Sequence, residues 1–414
     1  MRPFIATRLL CLSAVIAAAL VAGCASVQPT PTPEPVTLRY ACTDADNPRY
    51  GQLLEEFRQR HPYITVEMAG EQFETADVVM APILNVSEMI ENKHVIALDP
   101  YIEGNARFAP DEFIPGSVEM LRHEGRLWGL PATADPLVLF YSKDLFDAAG
   151  VPYPEPGWTW DEFLVKAAAL TNARGGVYGY TMVDGALDLI AFMYQHGGGL
   201  MDSLTNPTRP TFNDPRNAEA LDWWLALGLR HRVAPTPDEL ERSGPSGSPQ
   251  ALVYANKAAM WMGWFGERGG SATATSSSPW PAPWKMRWGV ATVPRDARST
   301  TLAMVSGYFI SAQSANPDAA WKWIAFLSER AAHRGAPARL ELLSSKQYES
   351  LAGKEVAELV RGVLEHAQLI SPRIVAYGQA FDALGRQLQQ VLRGDITAQE
   401  ALDATQKVAE QAQP

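Results

Sequence analysis

Val36-Thr37-Leu38-Arg39-Tyr40-Ala41-Cys42 is a short apolar run that reads as a strand, and its place at the head of a repeating pattern decides the fold. Tyr50 to Arg60 places Leu53, Leu54 and Phe57 on one helical face, and His61-Pro62 closes the helix because proline steers its predecessor out of the helical region. Ile64, Val66 and Met68 then alternate with polar residues, the period of a half-buried strand. Ala76-Asp77-Val78-Val79-Met80-Ala81 reads as a third, more buried strand. Strand, helix, strand and a further strand at this spacing predict an α/β sheet.

Toward the N-terminus, Arg2 and Arg8 precede an apolar run from Leu9 to Ala22 broken only by Ser13. A basic start, a short apolar stretch and small residues before a cut site describe a signal peptide over residues 1–23. The run falls short of the roughly 20 apolar residues that span a bilayer. Its ending, Leu20-Val21-Ala22-Gly23-Cys24, resembles the bacterial lipobox. That resemblance implies cleavage before Cys24, diacylation of its thiol and a third acyl chain on the new amino group. Residues 24–35 contain Pro29, Pro31, Pro33 and Pro35, the composition of an extended, semi-rigid tether.

The remaining body is too long for one typical core, so at least two lobes are expected. At 47% hydrophobic and 20% charged residues it is globular in composition, and its net charge of -11 argues against nucleic acid as a partner. Removing residues 1–23 takes away Arg2 and Arg8 and no acid, which makes the body more acidic still. Membrane attachment should therefore rest on lipid. With Cys11 in the signal peptide and Cys24 lipidated, only Cys42 remains, so no intrachain disulfide is possible. Cys42 reads as a small buried hydrophobe.

Helix starts are well punctuated. Thr159 to Glu162 and Thr397 to Glu400 have the pattern of capping boxes, and Asp214-Pro215 and Asn316-Pro317 put proline at a first helical position. A helix is expected through Leu252 to Met260 and a strand over Tyr178 to Met182. Gly, Ser and Pro mark loops between Arg242 and Pro249 and from Gly269 to Pro283. Gly197-Gly198-Gly199 reads as a helix stop and turn.

Catalytic signals are weak. The seven histidines hold no pair at the i, i+4 spacing of a helical zinc site, and no cysteine pair exists. Neither a Gly-x-Ser-x-Gly elbow nor a phosphate-cradling Gly-x-x-x-x-Gly-Lys loop occurs. No cofactor and no metal are expected, and the chain is read as a non-enzyme. A glycosidase needs only two well-placed carboxylates, which leaves a lipid-anchored glycoside hydrolase as the rival of another class. The aromatic residues say more. Trp264 sits between Gly263 and Gly266, which would let a ligand approach the backbone, whereas Trp321 and Trp323 lie on a helix and read as core.

One long segment then carries a family resemblance. Gly125-Arg126-Leu127-Trp128-Gly129-Leu130-Pro131 leads into Leu139-Phe140-Tyr141-Ser142-Lys143-Asp144-Leu145-Phe146, Ala149-Gly150-Val151-Pro152 and Trp158-Thr159-Trp160-Asp161-Glu162-Phe163. With Asn213-Asp214-Pro215, Ala258-Ala259-Met260, Trp288-Gly289-Val290 and Ser306-Gly307-Tyr308 in order, the chain resembles the extracellular solute-binding proteins of ABC importers, family 1, the group that includes maltose-binding protein. The resemblance implies an α/β, two-lobed periplasmic-binding-protein fold of the class II type, with a ligand cleft between lobes joined by crossing strands. The crossings are expected near Leu139 to Tyr141 and Gly307 to Ile310. Lobe 1 is expected over 36–140 plus about 309–345, and lobe 2 over 141–308 plus about 346–414.

Carried over by position, the ligand-binding residues are Asp44, Asp46 and Asn47 after the first strand and Gln72, beside Glu71, after the second. Asn85 follows the third strand; Asp135, Asp184, Trp264, Ser306 and Tyr308 complete the set. Ser142 stands where the family has asparagine, and the Trp- and Pro-rich loop from Ser276 to Pro283 departs from the family pattern. The implied function is a lipid-anchored extracytoplasmic receptor, a monomer, that captures a sugar or oligosaccharide for ABC permease transmembrane subunits. The acidic candidate loops favour neutral or cationic ligands, with a polyol or a glycerol phosphodiester as alternatives on the same fold. A sensory co-receptor feeding no permease is a further alternative.

Overall fold

The computed structural model describes residues 34–45, 47–183, 185–242, 248–270 and 283–412. Among the described residues ten strands run in chain order: β1 (Val36–Ala41), β2 (Ile64–Gly70), β3 (Val78–Pro82), the small hairpin β4 (Arg122–His123) and β5 (Arg126–Leu127), β6 (Leu130–Ser142), β7 (Met260–Trp264), β8 (Trp288–Ala291), β9 (Thr301–Ile310) and β10 (Ala367–Leu369). The three strands expected at the start are present, with the α-helix Arg49–Arg60 between the first two.

The first lobe is built on the order β2-β1-β3-β9-β6. β1 runs parallel to β2 and β3, while β9 pairs antiparallel with β3 and with the first half of β6. Helix Arg49–Arg60 buries Tyr50, Leu53 and Phe57. Phe57 and Tyr40 both meet Trp323 of helix Pro317–Ser328 edge to face, with ring centroids 4.9 and 5.7 Å apart, so a late helix completes the early core. Trp323 is fully buried and Trp321 stacks on Tyr101, which bears out their reading as packing residues. Cys42 is likewise buried, and burial pushes its thiol up to about 12.

The second lobe uses the other half of β6, which takes β7 along Leu137 to Tyr141 and β8 along Leu139 to Ser142. Helix Lys354–Leu364 packs against β6, and helices Gly378–Arg393 and Ala398–Ala409 pack on each other. Both expected capping boxes form in full, at Thr159 with Glu162 and at Thr397 with Glu400, and Asp214 caps its helix through the Arg216 N–H. Asn316 precedes its helix without a side-chain cap bond.

Three expectations change. The helix expected through Leu252 to Met260 is the short helix Pro249–Tyr254, ended by Asn256 at a φ of 54°; Met260 opens β7. Tyr178 to Met182 makes only isolated bridges, Tyr178 to Ala258 and Thr181 to Trp261. The crossing on β6 falls at Pro136 and Leu137, where pairing passes from β9 to β7, and Gly307 to Ile310 lie wholly inside the first sheet against β3. β6 runs on through both sheets as one strand, so the strand signal alone could not mark the handover.

His196 ties the second lobe together just before the turn expected at Gly197. Its Nδ1 lies 2.5 Å from Asp296 Oδ2 and its Nε2 2.9 Å from Glu219 Oε2, and the ring stacks on Trp160, itself stacked on Trp223. Burial disfavours the charged ring, but the bonds to Glu219 and Asp296 outweigh it and raise its pKa above the ordinary 6.5. A raised histidine stabilises fully below 6.5 and loses that contribution as pH rises through its folded pKa. The melting temperature should therefore fall between pH 6 and pH 9, and His196→Gln should flatten that part of the profile; parallel profiles for the two proteins would contradict it.

Candidate ligand-binding cleft

Where the strands cross, a cleft of about 620 Å³ opens between the lobes, within the usual range of small-molecule sites. β1, β2 and β3 run parallel, so their C-terminal ends deliver Asp44, Glu71 and Pro82 to one edge of the first sheet. β9 adds Ser306, β6 adds Asp135, and the end of β7 with the segment after it brings Trp264 and Glu267 from the other side. Ligands of open α/β sheets bind at such strand ends.

Asp44 is the best-anchored acid of the cleft. Its Oδ1 lies 3.0 Å from His333 Nδ1 and accepts from Tyr50 Oη at 3.1 Å, while Oδ2 accepts the Arg334 backbone N–H at 3.1 Å. A carboxylate only accepts, so Nδ1 carries the proton; Nε2 then faces Tyr308 Oη at 2.7 Å. Burial opposes ionisation of Asp44, but the His333 charge and hydrogen bond, with the bonds from Arg334 and Tyr50, outweigh it and hold the carboxyl well below its usual range. The side chain of His333 is only 3% exposed, so the pair is shielded from water and from salt.

Asp135 is held differently. Both its oxygens accept the Gly266 N–H, at 2.8 and 3.1 Å. A Cβ on residue 266 would come within 2.7 Å of Asp135 Oδ2, so only glycine allows this approach. Burial pushes the Asp135 carboxyl up to about 7, further raised by Glu267 and opposed by the Gly266 bond and Arg268.

The aromatic wall comes from Trp264 and Trp284. Trp284 is held edge-on by Phe140, Trp261 and Trp288, with centroids 5.0, 5.0 and 5.7 Å away, and its backbone N–H donates to Gly269 O at 2.8 Å. Edge-to-face contacts of this kind fix a ring in place before any ligand arrives.

Of the sequence-derived candidates, Asp44, Asp135, Trp264 and Ser306 line the cleft. Tyr308 is buried behind it, 1% exposed, and reaches it only through His333. Asn47 instead braces the chain, donating to Ala332 O at 3.1 Å; Gln72 accepts from Arg39; Asn85 is exposed and makes no side-chain cap bond. Asp46, Asp184, Trp280 and loop residues 276–282 lie outside the described residues, as does Cys24. Sequence reasoning missed His333, Arg334 and Glu267. Their segments carried no strand signal, although a histidine just past a helix was there to be noticed. Among the described residues the cleft presents four acids, Asp44, Glu71, Asp135 and Glu267, against Arg334 and His333.

A model of the family described as bacterial extracellular solute-binding protein matches residues 50–333. An arabinooligosaccharide-binding protein of Halalkalibacterium halodurans is 27% identical over 144 residues, 35% of this chain and 30% of that protein. A mannitol-binding protein of Pseudomonas aeruginosa is 27% identical over 177 residues, 40% of this chain and 37% of that protein. The matches thus span well under half the length of these curated relatives. An ABC substrate-binding protein from Listeria monocytogenes, solved in complex with cycloalternan, superposes with a TM-score of 0.72 at 22% identity, covering 91% of this chain and 99% of that one. Its likeness shows the two-lobed fold.

Asp44 and Asp135, both half-buried, carry opposite pH signatures. Asp44, lowered from an ordinary 3.8, contributes stability above that value and loses it as pH falls. Asp135, raised to about 7, costs stability as pH rises from 3.8 to 7. Asp44→Asn should therefore flatten the acid limb of a melting-temperature profile, and Asp135→Asn should gain relative to wild type between pH 5 and 8. Identical difference profiles for the two variants would refute the assignment.

Proposed function

The chain belongs to the bacterial extracellular solute-binding proteins, and from that premise we propose that it is the substrate-binding component of an ABC importer. It takes a sugar or oligosaccharide into the cleft, closes around it and hands it to the permease. The observation that carries this reading is the pairing, across the crossing strands, of an aromatic wall with hydrogen-bonding acids and a hydroxyl: Trp264 and Trp284 opposite Asp44, Glu71 and Ser306. An indole face suits the C–H face of a sugar ring, and carboxylates accept from its hydroxyls. The arabinooligosaccharide-binding relative supports a saccharide. The mannitol-binding relative supports a polyol as the second reading. A glycerol phosphodiester would set its phosphate among four acids, and the cleft disfavours it.

Lobe 1 is assigned as 36–136 plus about 303–345 and lobe 2 as 137–302 plus about 346–414; the handover on β6 and the pairing of β9 with β3 move the expected bounds at 140 and 309. Closure moves these bodies about the crossings, and a ligand drives it only by binding the closed form more tightly. The protein works as a monomer and turns nothing over; mass analysis after incubation with oligosaccharides should show no new products. Residues 1–23 act as a signal peptide, and Cys24 carries the lipid that holds the receptor on the extracytoplasmic face of the membrane. One acyl chain anchors marginally, and two or three hold firmly.

Two outcomes are expected. At 100 times its dissociation constant the right saccharide should stabilise the protein by about 2.7 kcal/mol and change its tryptophan fluorescence. Trp264→Ala should weaken that binding roughly tenfold, the scale of one aromatic contact. A broad panel of sugars and polyols that leaves the melting temperature unmoved would sink both readings. Separately, Cys24→Ala should release the protein from membranes with solute affinity unchanged; retention in the membrane fraction would rule out the lipid anchor.

A further inference from the structure

Residue 334 is held by both lobes at once. Its N–H donates to Asp44 Oδ2 at 3.1 Å, and two residues further on Ala336 O accepts the Ala134 N–H of β6 at 2.9 Å. Those partners belong to the first lobe. Its carbonyl accepts from Arg268 Nη1, and its own guanidinium Nη1 donates to Gly270 O at 3.1 Å; these partners belong to the second lobe. Two half-buried arginines, one from each lobe, thus each give a guanidinium hydrogen to a main-chain carbonyl of the other lobe.

Each side of this exchange is braced within its own lobe. The Arg268 guanidinium lies over the ring of Phe265, 4.2 Å from its centroid, and Phe265 is fully buried. Gly269 and Gly270 stand at φ of 80° and 77°, the left-handed region that glycine enters without strain. Their carbonyls are used in turn: Gly269 O takes the Trp284 N–H at 2.8 Å, and Gly270 O takes Arg334. The turn that holds one tryptophan of the aromatic wall is therefore the turn that Arg334 grips. A rotation of the lobes about β6 carries residue 334 with Asp44 and residues 268–270 with β7. It breaks both guanidinium bonds and leaves the bracing contacts inside each lobe intact. A hydrogen bond from a charged donor is worth roughly tenfold in an equilibrium constant, and neither of these two needs a solute.

We propose that Arg334 and Arg268 form a latch that keeps the lobes mainly closed before any solute arrives, solute entering through the minor open form. The latch rests on the reading of the two bodies as lobes that move about β6. Arg334 also lines the cleft, so its test leaves solute out, and a failed sugar panel would not bear on it. Small-angle X-ray scattering of the solute-free mature chain, carrying Cys24→Ala in every sample so that no lipid scatters, should fit the closed structure. Arg334→Ala deletes the bond to Gly270 but keeps the main-chain bonds of residue 334. It should shift the open-to-closed ratio roughly tenfold toward open, read as a larger radius of gyration. Arg268→Met keeps an apolar stem beside Phe265, removes the donor and should act in the same direction. Arg287→Ala, which breaks ion pairs to Asp144 and Asp147 inside the second lobe, should leave the curve unchanged. A wild-type curve that fits only an opened form would overturn the latch. So would an Arg334→Ala curve equal to wild type, or an equal expansion in Arg287→Ala. Should Arg268→Met not fold, the wild type and Arg334→Ala decide the matter.

Discussion

One strand belongs to both lobes, and the rest of the molecule is arranged around that constraint. β6 runs unbroken from Leu130 to Ser142, pairing with β9 up to Pro136 and with β7 from Leu137. Proline lacks a backbone donor, so Pro136 marks a place where a ladder bond is missing and the strand can change partners at little cost. Asp135 sits one residue before the handover and is bonded to Gly266 just beyond β7. Any rotation of the lobes about this waist changes the surroundings of an acid that lines the cleft. The Asp135–Gly266 pair is one such link, and Arg334, which donates to Gly270 O at 3.1 Å, is another.

The first lobe solves a different problem, the burial of a charge. A carboxylate taken out of water needs partners for its oxygens. Asp44 finds them on two separate stretches, Tyr50 on the first helix and His333 with the Arg334 N–H far down the chain, while Tyr308 of β9 holds the other side of the imidazole. Because these groups share protons in a chain, loss of one leaves the others unsatisfied inside a low-dielectric site. The loop after helix Pro317–Ser328 is therefore part of the cleft floor, although it lies almost 300 residues from Asp44 in sequence.

This separation explains what the sequence could and could not disclose. The opening strand-helix-strand pattern, both capping boxes and the proline-led helices were legible because they depend on neighbours within a turn or two. Trp264 stood out because glycines flank it. Asn47, Gln72 and Asn85 shared the post-strand position of Asp44, and only their long-range partners reveal that they brace the chain or face water. His333 was passed over for the converse reason: a histidine just past a helix can be seen in the sequence, but nothing local ties it to Asp44. The helix wrongly extended to Met260 shows the same limit, since Met260 to Trp264 alternate as a strand only when paired with β6.

The aromatic wall suggests how work is divided between rigid and moving parts. Trp284 is clamped by three rings, and Trp261 beneath it is buried, so this surface is organised before a solute arrives. A prearranged face loses little entropy on binding. The acids opposite come from loops at the strand ends of the other lobe, whose distance from the wall depends on how far the waist has turned. A solute that touches only the tryptophans binds open and closed forms alike and cannot drive closure. Only one that also reaches Asp44 or Glu71 distinguishes the two forms, and that difference in affinity is all that the solute itself adds toward closing the lobes.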